Sequence, residues 1–305
     1  VDDALLLGLV CDSDRMGALR FADVGNSLHF LGERRFAHPK ASDLAELCQT
    51  ARRIESGDIL SAASLERFAE NASALGGSRP KAGFADENGR LCLAKFPSIN
   101  DDRDKGAWEY VTARLAQKAG IRLPEFQLID INDPLGRIFA SKRFDRTDDG
   151  GRLHYLSVRA LLGAADNREA RSYRDLVALI ESICHDAQAQ KEELWRRTVF
   201  KCFIHDGDDH LRNLGWELAP AFDLNPSLSK THLTLSYGCR CRDIAPSALL
   251  ECVSDWGIPS DRAERIARET AQVVSQWKTE AREAGIAEKE IAQMQPAFSF
   301  DSDFV

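Results

Sequence analysis

The chain has 305 residues, of which 44 % are hydrophobic and 29 % are charged, and its formal net charge is −8. This length suggests one large domain or two lobes around a cleft, and the composition is that of an ordinary globular enzyme. A chain this acidic is not expected to bind DNA through its overall electrostatic field. It lacks a run of about 18 apolar residues, the signature of a membrane-spanning helix, so we expect no membrane contact.

Eight cysteines are scattered along the chain without a C-x-x-C pair. This usage, and an N-terminus without the basic start of a signal peptide, predict reduced thiols in the cytoplasm. Cys239 and Cys241, with His232 nearby, raise the question of a zinc site. Two thiols on one strand edge are the favoured interpretation, because tetrahedral zinc sites need a longer spacing between their ligands.

The first half of the chain mixes helical and extended patterns. Residues 41–70 are predicted to be helical in two pieces, with Ser42 and Ser64 as N-caps, and a Gly/Ser-rich stretch follows over 74–81. An amphipathic helix is predicted over 104–120, because its apolar residues share one face. Short strands are predicted at 81–84, 90–96, 126–131 and 137–142.

The second half is dominated by helical periodicity, interrupted by a polar loop over 206–224. A polar, Gly-rich stretch at 144–152 predicts a domain boundary between the halves. The expected architecture is therefore a small mixed lobe followed by a larger helical lobe. The candidate helices are 157–162, 169–188, 190–204, 245–255 and 260–284.

The most informative segment is His205–Asn213, with the sequence HDGDDHLRN. Asp208 and Asn213 are five residues apart, which is the spacing of the base and the metal-binding asparagine in a kinase catalytic loop. That chemistry needs a carboxylate facing the incoming hydroxyl and an amide oxygen presented to Mg²⁺ after the loop turns. Asp223, on a following turn, would supply the second metal-binding group. The segment therefore predicts Asp208 as the catalytic base, with Asn213 and Asp223 as metal ligands.

Two other interpretations of this segment stay open. An Asp-rich polar loop is commonly a solvated turn without a function, and the D-x₄-N spacing alone is a weak signal. His205-Asp206 also resembles the metal-binding dyad of HD-type phosphohydrolases. Those enzymes need further His and Asp ligands on neighbouring helices, and His185-Asp186 is the only other such pair in the sequence.

Upstream of this segment, Lys95 lies near the end of the apolar run Leu91–Phe96 and is the candidate for a lysine that contacts ATP phosphates. Glu109 on the next predicted helix is its best-placed acidic partner. The alternatives are a surface lysine at a strand end and a solvent-facing glutamate. The glycines of Gly76–Lys81 would let backbone N–H groups approach a phosphate, although this loop alone is more typical of a turn.

Taken in order, these segments resemble the HipA family of serine/threonine kinases, the toxins of bacterial toxin–antitoxin operons. The resemblance runs from around residue 15 to the C-terminus and is most distinctive in the Arg-Phe-Asp-Arg motif and the two catalytic stretches. The segments that carry it are Asp14–Phe21, Gly76–Ala82, Leu93–Lys95, Glu109, Lys142–Arg146, Arg152–His154, Asp208–Asn213 and Leu218–Pro226.

The resemblance implies an α+β, two-lobed protein-kinase-like fold, with a small mixed α/β N-lobe, a larger all-α C-lobe and the active site between them. Residues 1–72 would be the end of an N-terminal subdomain plus a helical connector. Residues 73–146 would be the N-lobe with the phosphate loop and the ATP lysine, and 147–305 the helical C-lobe with the catalytic loop.

The same resemblance assigns roles to individual residues. Lys95, Asp208 and Asn213 would be catalytic, Asn213 and Asp223 would hold Mg²⁺, and segment 142–144 would form the interlobe hinge near adenine. ATP contacts are implied for Gly76, Gly77, Ser78, Arg79, Pro80, Lys81, Lys95, Glu109, Lys142, Arg143, Phe144, His210, Leu211, Arg212, Asn213, Phe222 and Asp223.

Two features depart from the family pattern. Family members usually begin with a further small β-rich subdomain, and this chain enters near its end, so that it is either a fragment or relies on a separate protein for that part. The stretch between Asn213 and Asp223 is also short, because a hairpin should fit there and no turn residue separates its candidate strands. We therefore expect mobile loop residues to be absent from this stretch; if it is complete, the reach of Asp223 to a metal is in question.

The predicted reaction is γ-phosphoryl transfer from Mg·ATP to a protein Ser or Thr, mainly through positioning and charge stabilisation. The family implies a helix-turn-helix antitoxin of HipB type as partner, DNA contact mainly through it, and autophosphorylation near the 76–81 loop. An aminoacyl-tRNA synthetase is the substrate in studied relatives, but nothing in the sequence identifies a substrate. The alternatives are a catalytically silent kinase-like module in a repressor complex and a small-molecule kinase.

Overall fold

The computed structural model describes residues 10–34, 36–72, 79–163, 172–215, 218–238 and 241–298. The chain divides into two compact units. Unit 1 comprises residues 1–107 and 125–155, and unit 2 comprises residues 108–124 and 156–305. Helices and strands are both present, so the prediction of a mixed α+β fold is confirmed.

Unit 1 is built on a four-stranded antiparallel sheet. Its elements are β1 (Ala22–Asp23), β2 (Asn26–Phe30), α1 (Leu44–Glu55), α2 (Ala62–Ala72), β3 (Lys81–Ala85), β4 (Leu91–Lys95), the first turn of α3 (Lys105–Lys118), β5 (Phe126–Ile129) and β6 (Ile138–Lys142). The strand order is β3-β4-β6-β5, while β1 and β2 form a separate pair. The β3–β4 hairpin turns at Gly89, whose φ of +77° glycine adopts without strain.

Helix α1 packs on this sheet because its apolar residues recur at helical spacing. Leu44, Leu47, Cys48 and Ala51 are buried in one core cluster together with alternate residues of the strands. Successive side chains of a strand face opposite sides, so only every second strand residue reaches this cluster. The strand residues concerned are Ala82, Phe84, Cys92, Ala94, Ile138 and Ala140.

Both N-caps predicted for the first two helices are wrong. Ser42 lies within a 3₁₀ turn over Ala41–Asp43, and α1 begins after Asp43 without a side-chain cap. Helix α2 is capped one turn earlier than expected, because the hydroxyl of Ser61 accepts a hydrogen bond from the Ser64 N–H at 3.2 Å. Several serines near a helix start are equally good caps by type, and the path of the backbone selects among them.

Asp145 ties the N-terminal segment of unit 1 to the segment that follows β6. Its carboxylate is buried and accepts two hydrogen bonds from Arg143, at 2.8 and 2.6 Å, and one from Arg146 at 2.7 Å. The N–H of Gly17 donates a fourth at 2.7 Å, and Arg143 also donates to the carbonyl of Asp14 at 2.6 Å. Burial disfavours the charged carboxylate, but Arg143 and Gly17 hold the pKa of Asp145 below its usual value.

Unit 2 is mainly helical, with one long and largely buried helix. Its elements are the rest of α3, α4 (Val158–Leu161), α5 (Tyr173–Ile183), α6 (Ala187–Phe203), β7 (His232–Tyr237), β8 (Cys241–Asp243), α7 (Pro246–Glu251), α8 (Ser260–Val274), α9 (Trp277–Glu283) and α10 (Glu288–Met294). Trp195 of α6 is fully buried and donates its indole N–H to the carbonyl of Ala263 at 3.0 Å. Trp108 donates to Glu290 at 2.6 Å, which ties α3 to the C-terminal helices.

The prediction of an all-helical second half is wrong, because β7 and β8 pair there as an antiparallel hairpin. In β7 the buried Leu233 and Leu235 alternate with the exposed His232 and Thr234. This period of two is a strand signal that the helical interpretation overlooked. The single helix predicted over 260–284 is divided into α8 and α9. Among the helices of the described ranges, none is long and apolar enough to cross a membrane.

We expect Asp145→Asn to destabilise unit 1 by about 3–5 kcal/mol, because it leaves Arg143 and Arg146 buried without their countercharge. Urea unfolding followed by circular dichroism measures this loss as a lower midpoint.

The matched control is Asp148→Asn, three residues downstream, where an exposed carboxylate pairs with Lys142. Exposed pairs contribute little, so its midpoint should stay at the wild-type value. Equal midpoints for the two variants would contradict the conclusion that the buried contacts of Asp145 stabilise unit 1.

Candidate active site

The loop over residues 205–213 follows directly from the C-terminus of α6. His205 turns the chain out of the helix with a φ of +51°, a conformation uncommon for a residue with a side chain. Asp206 is buried, and its Oδ1 accepts the N–H of Asp208 at 3.0 Å, closing a turn typical of aspartate. This turn directs the side chain of Asp208 outwards, where 53 % of it is exposed.

The structure brings Asp208 and Asn213 together. The Nδ2 of Asn213 donates to the carbonyl oxygen of Asp208 at 3.0 Å, and the Asn213 N–H donates to the carbonyl of His210 at 2.9 Å. His210 also lies 3.5 Å from the Asp208 carboxylate. The amide nitrogen of Asn213 is used in the bond to the Asp208 carbonyl, because only a donor can bind a carbonyl oxygen. The amide oxygen of Asn213 is then the atom that can bind a metal ion.

Asp209 connects the loop over residues 205–213 to Tyr173 and to β7. It is 1 % exposed, and its carboxylate accepts the Tyr173 hydroxyl at 2.6 Å and the backbone N–H groups of Thr234 and Leu235 in β7. Gly207 lies against the same strand so closely that a Cβ would stand 2.4 Å from a backbone oxygen of β7. The hairpin missed in the sequence is therefore the support of this loop.

Lys201, in the last turn of α6, is the main site residue that sequence reasoning missed. Its Nζ lies 3.2 Å from the Asp206 carboxylate and donates to the carbonyl of Asp208 at 3.2 Å. Burial opposes the ammonium, but Asp206, Asp209 and Asp223 together raise the pKa of Lys201. Lys201 precedes the loop by four residues in the sequence. A buried lysine in a predicted helix, however, cannot be distinguished from an exposed one by its sequence alone.

Asp223 lies in a strained turn close enough to act on Lys201. Its φ is +59°, and its Oδ1 accepts the side-chain amide of Asn225 at 3.1 Å. Its charge contributes to the raised pKa values of both Lys201 and Asp206, the latter raised mainly by burial. The short stretch from Asn213 therefore brings Asp223 into electrostatic range of the loop.

Hydrogen bonds to backbone carbonyls hold the short stretch between Asn213 and Asp223. Residues 216 and 217 lie outside the described part; on either side of them, the Ala219 N–H donates to the carbonyl of Gly215 at 3.1 Å. The Arg197 guanidinium donates to the Ala219 carbonyl at 2.9 Å, and the Ala221 N–H donates to the carbonyl of Arg122 at 2.7 Å. The Ala219–Gly215 bond joins the described residues on either side of 216–217, and the absence of residues from this stretch stays a prediction.

The remaining predicted residues of unit 2 differ in their surroundings. Phe222 and Asn213 line a small cavity behind it, together with Lys201 and Asp209. The carbonyl of Leu211 accepts the Arg159 N–H at 3.3 Å. Arg212 is exposed, and Glu109 in α3 is 4 % exposed.

In unit 1, Lys95 and Lys81 are cross-strand partners on the first two strands of the sheet. Lys95 is nearly buried, and its Nζ lies 5.9 Å from the ring centre of Phe139. Directly opposite residues share a face, and like charges there are unfavourable unless an anion compensates them. The pairing predicted between Lys95 and Glu109 joins residues of different units and stays a prediction.

The other unit 1 residues make protein contacts. Arg79 donates two hydrogen bonds to Asp101, at 3.0 and 2.6 Å, Lys142 contacts Asp148 at 2.6 Å, and the Arg143 guanidinium binds Asp145. Their contact with a nucleotide stays a prediction, as it does for Pro80 and Phe144. Gly76, Gly77, Ser78 and Cys239 lie outside the described residues.

The oxygen atoms of Asn213 and Asp223 fit a magnesium ion whose other ligands are phosphate and water oxygens. Asn213 offers an amide oxygen and Asp223 a carboxylate, and Mg²⁺ is usually bound by one or two such groups plus phosphate and water oxygens. Within the described ranges, no group of three or more His, Cys, Asp or Glu side chains could hold a metal by itself. The phosphohydrolase interpretation, which needs such a group around His205-Asp206, finds no support there.

We expect Tyr173→Phe to destabilise the protein by about 1.5–3 kcal/mol at pH 7, because it removes a hydrogen bond to the Asp209 carboxylate. Burial and the Asp209 charge hold the pKa of Tyr173 well above its usual value. Above about pH 10 the unfolded chain releases this proton while the folded chain keeps it, so wild-type stability falls.

The difference between wild type and Tyr173→Phe, measured by urea unfolding, should therefore shrink between pH 9 and pH 11. Tyr110→Phe is the control, since Tyr110 lies on α3 and the hydrogen bonds described for Asp209 come from Tyr173 and β7. A difference that stays constant across this pH range would contradict the buried phenol–carboxylate pair.

Comparison with known proteins identifies the family of the chain. A family model described as the HipA-like C-terminal domain matches residues 73–277, about two thirds of the chain. The chain is 29 % identical over 139 residues to "Putative kinase Y4dM" of Sinorhizobium fredii and 26 % identical over 134 residues to a "Putative kinase" of Haemophilus influenzae. These matches cover 42 % and 38 % of this chain but only 33 % and 39 % of the relatives.

A solved structure shares the fold. The HipA toxin–antitoxin complex of Shewanella oneidensis, which contains HipA, HipB and operator DNA, matches with a TM-score of 0.66 at 18 % identity. The match covers 99 % of this chain and 74 % of that one. From the family-model match over residues 73–277, the chain belongs to the family of HipA-like C-terminal domains.

Proposed function

We propose that this chain is an ATP- and Mg²⁺-dependent protein kinase that transfers the γ-phosphoryl group to a serine or threonine hydroxyl. One observation carries the proposal: Asn213 is hydrogen-bonded to the backbone of Asp208, while the Asp208 carboxylate remains exposed. This arrangement pairs an accessible base with an oriented amide oxygen, the two groups that a kinase catalytic loop must supply.

The roles of the chain's own residues follow from this geometry. The Asp208 carboxylate would accept the proton of the incoming hydroxyl, and Asn213 and Asp223 would hold Mg²⁺. The bound metal supplies charge stabilisation to the transferring phosphoryl group. Because this reaction needs little covalent chemistry from the protein, positioning of these side chains would account for most of the rate enhancement.

The nucleotide side of the site is proposed to come from unit 1. Lys95 and Lys81, which are directly opposite each other on adjacent strands, would contact the phosphates together with the loop 76–81. Segment 142–144 would lie near adenine. A two-lobed arrangement, with an N-lobe over 73–146 and a C-lobe over 147–305, belongs to the same proposal. So does the pairing of Lys95 with Glu109.

The proposed partner is a helix-turn-helix antitoxin of HipB type. The support is the fold shared with a HipA that was solved with HipB and operator DNA. A net charge of −8 favours DNA contact through such a partner rather than directly. A protein substrate, such as an aminoacyl-tRNA synthetase, autophosphorylation near loop 76–81 and a cytoplasmic location complete the proposal.

The test is incubation with γ-labelled ATP and Mg²⁺, with label counted on the chain itself and on lysate proteins. We expect transfer by the wild type and a rate lower by about 10²–10⁴-fold for Asp208→Asn, which keeps the shape of the base but cannot accept the proton.

Asp243→Asn is a suitable control, since Asp243 is exposed on β8, outside the loop. Absence of both transfer and Mg·ATP binding in the wild type would refute the kinase proposal. Binding of Mg·ATP without transfer would instead identify a silent kinase-like module.

A further inference from the structure

A buried ion pair lies beneath the loop 205–213. The Nζ of Lys201 is 3.2 Å from Oδ2 of Asp206, and only 8 % and 2 % of the two side chains are exposed. Removing two charges from water is costly, and a pair of apolar side chains would generally fill such a position at lower cost. The pair therefore calls for an explanation other than stability, and its contacts supply one.

The backbone of Asp208 is held on both sides by this pair. Its N–H donates to Oδ1 of Asp206 at 3.0 Å, and its carbonyl accepts Nζ of Lys201 at 3.2 Å. The same carbonyl accepts the side-chain amide of Asn213 at 3.0 Å. The two peptide groups that flank the Asp208 side chain are thus both restrained, and so is the direction of its carboxylate.

We propose that Lys201 and Asp206 are positioning residues that restrain the peptide groups of Asp208 and thereby orient both its carboxylate and the amide of Asn213. This inference rests on the proposed function and deepens it, since it identifies what keeps the loop in its productive shape. Neither residue would contact the substrate. Lys201 would act through a backbone carbonyl and Asp206 through a backbone N–H.

The ammonium of Lys201 also balances the charge of its surroundings. The carboxylates of Asp206, Asp209 and Asp223 all interact with it. Asp209 is held separately by Tyr173 and β7, and among the described residues Lys201 is the cation that pairs with Asp206. Loss of the ammonium would leave Asp206 buried without a countercharge and the Asp208 carbonyl without one of its two donors.

The same helix offers a matched control. Lys191 lies ten residues earlier in α6, and its Nζ contacts Oε1 of Glu181 at 2.9 Å. Its side chain is 10 % exposed, close to the value for Lys201, but its partner lies on α5 and not in the loop. A general effect of removing a buried lysine from α6 should therefore appear equally in Lys191→Met and Lys201→Met.

The experiment compares these two variants of the full chain by amide hydrogen exchange and by phosphoryl transfer. For Lys201→Met we expect exchange of the 206–213 amides to rise by roughly tenfold or more, while α8 keeps its protection. The transfer rate should fall by about 10–100-fold, the usual effect of losing a group that orients a ligand or base. Lys191→Met should leave both quantities unchanged.

Two double variants keep the test decisive if Lys201→Met does not fold. Lys201→Met with Asp206→Asn removes both charges, which buried pairs tolerate better than loss of one, and still lacks the donor to Asp208. Lys201→Gln with Asp206→Asn is neutral as well but retains a side-chain N–H donor. We expect the second double variant to transfer label several-fold faster than the first.

Failure of this inference can be told apart from failure of the proposed function. If the wild type transfers no label, the kinase proposal fails, but the exchange rates of loop 206–213 still decide whether Lys201 restrains it. Unchanged loop exchange in Lys201→Met, equal effects in Lys191→Met, or equal rates for the two double variants would each overturn the inference.

Discussion

A carboxylate that leaves water must find positive charge or a full set of hydrogen-bond donors, and this constraint organises both units of the chain. In unit 1, Asp145 is satisfied by Arg143, Arg146 and the N–H of Gly17. The bond from Gly17 joins residues that are 128 positions apart in sequence. These bonds help to fix the path of the N-terminal segment, together with the bonds that Arg143 and Arg146 donate to the carbonyls of Asp14 and Arg15.

The same constraint shapes the loop of unit 2. Asp206, Asp208 and Asp209 lie within four residues and have the same side chain, yet their surroundings differ. Asp209 is buried against Tyr173 and β7, Asp206 is buried against Lys201, and Asp208 is exposed. Two of the three carboxylates thus hold the backbone in shape, which leaves the third oriented and accessible for chemistry.

Some features were predictable because they depend on local spacing. Leu44, Leu47, Cys48 and Ala51 of α1 follow the helical period, and all four are buried in the core cluster. The five-residue interval between Asp208 and Asn213 is short enough for one loop to bring them into contact, and the structure shows that contact. The motifs in their order also indicated the family, which the match over residues 73–277 confirms.

Other features could not be predicted because they depend on which distant segment covers a residue. An all-helical second half was expected, yet β7 supplies the N–H groups that satisfy Asp209. Arg143 stood in a segment expected to lie near adenine, and its guanidinium is engaged by Asp145 and the backbone of the N-terminal segment.

The sequence by itself thus determined the family, the mixed α+β class and the candidates for base and metal ligand, since these follow from local patterns. Only the tertiary structure decided which aspartates are buried, which cation faces them and which strand supports the loop. The physical reason is that burial and charge pairing are set by contacts between segments far apart in the chain. Those contacts cannot be predicted from the spacing of residues along the chain.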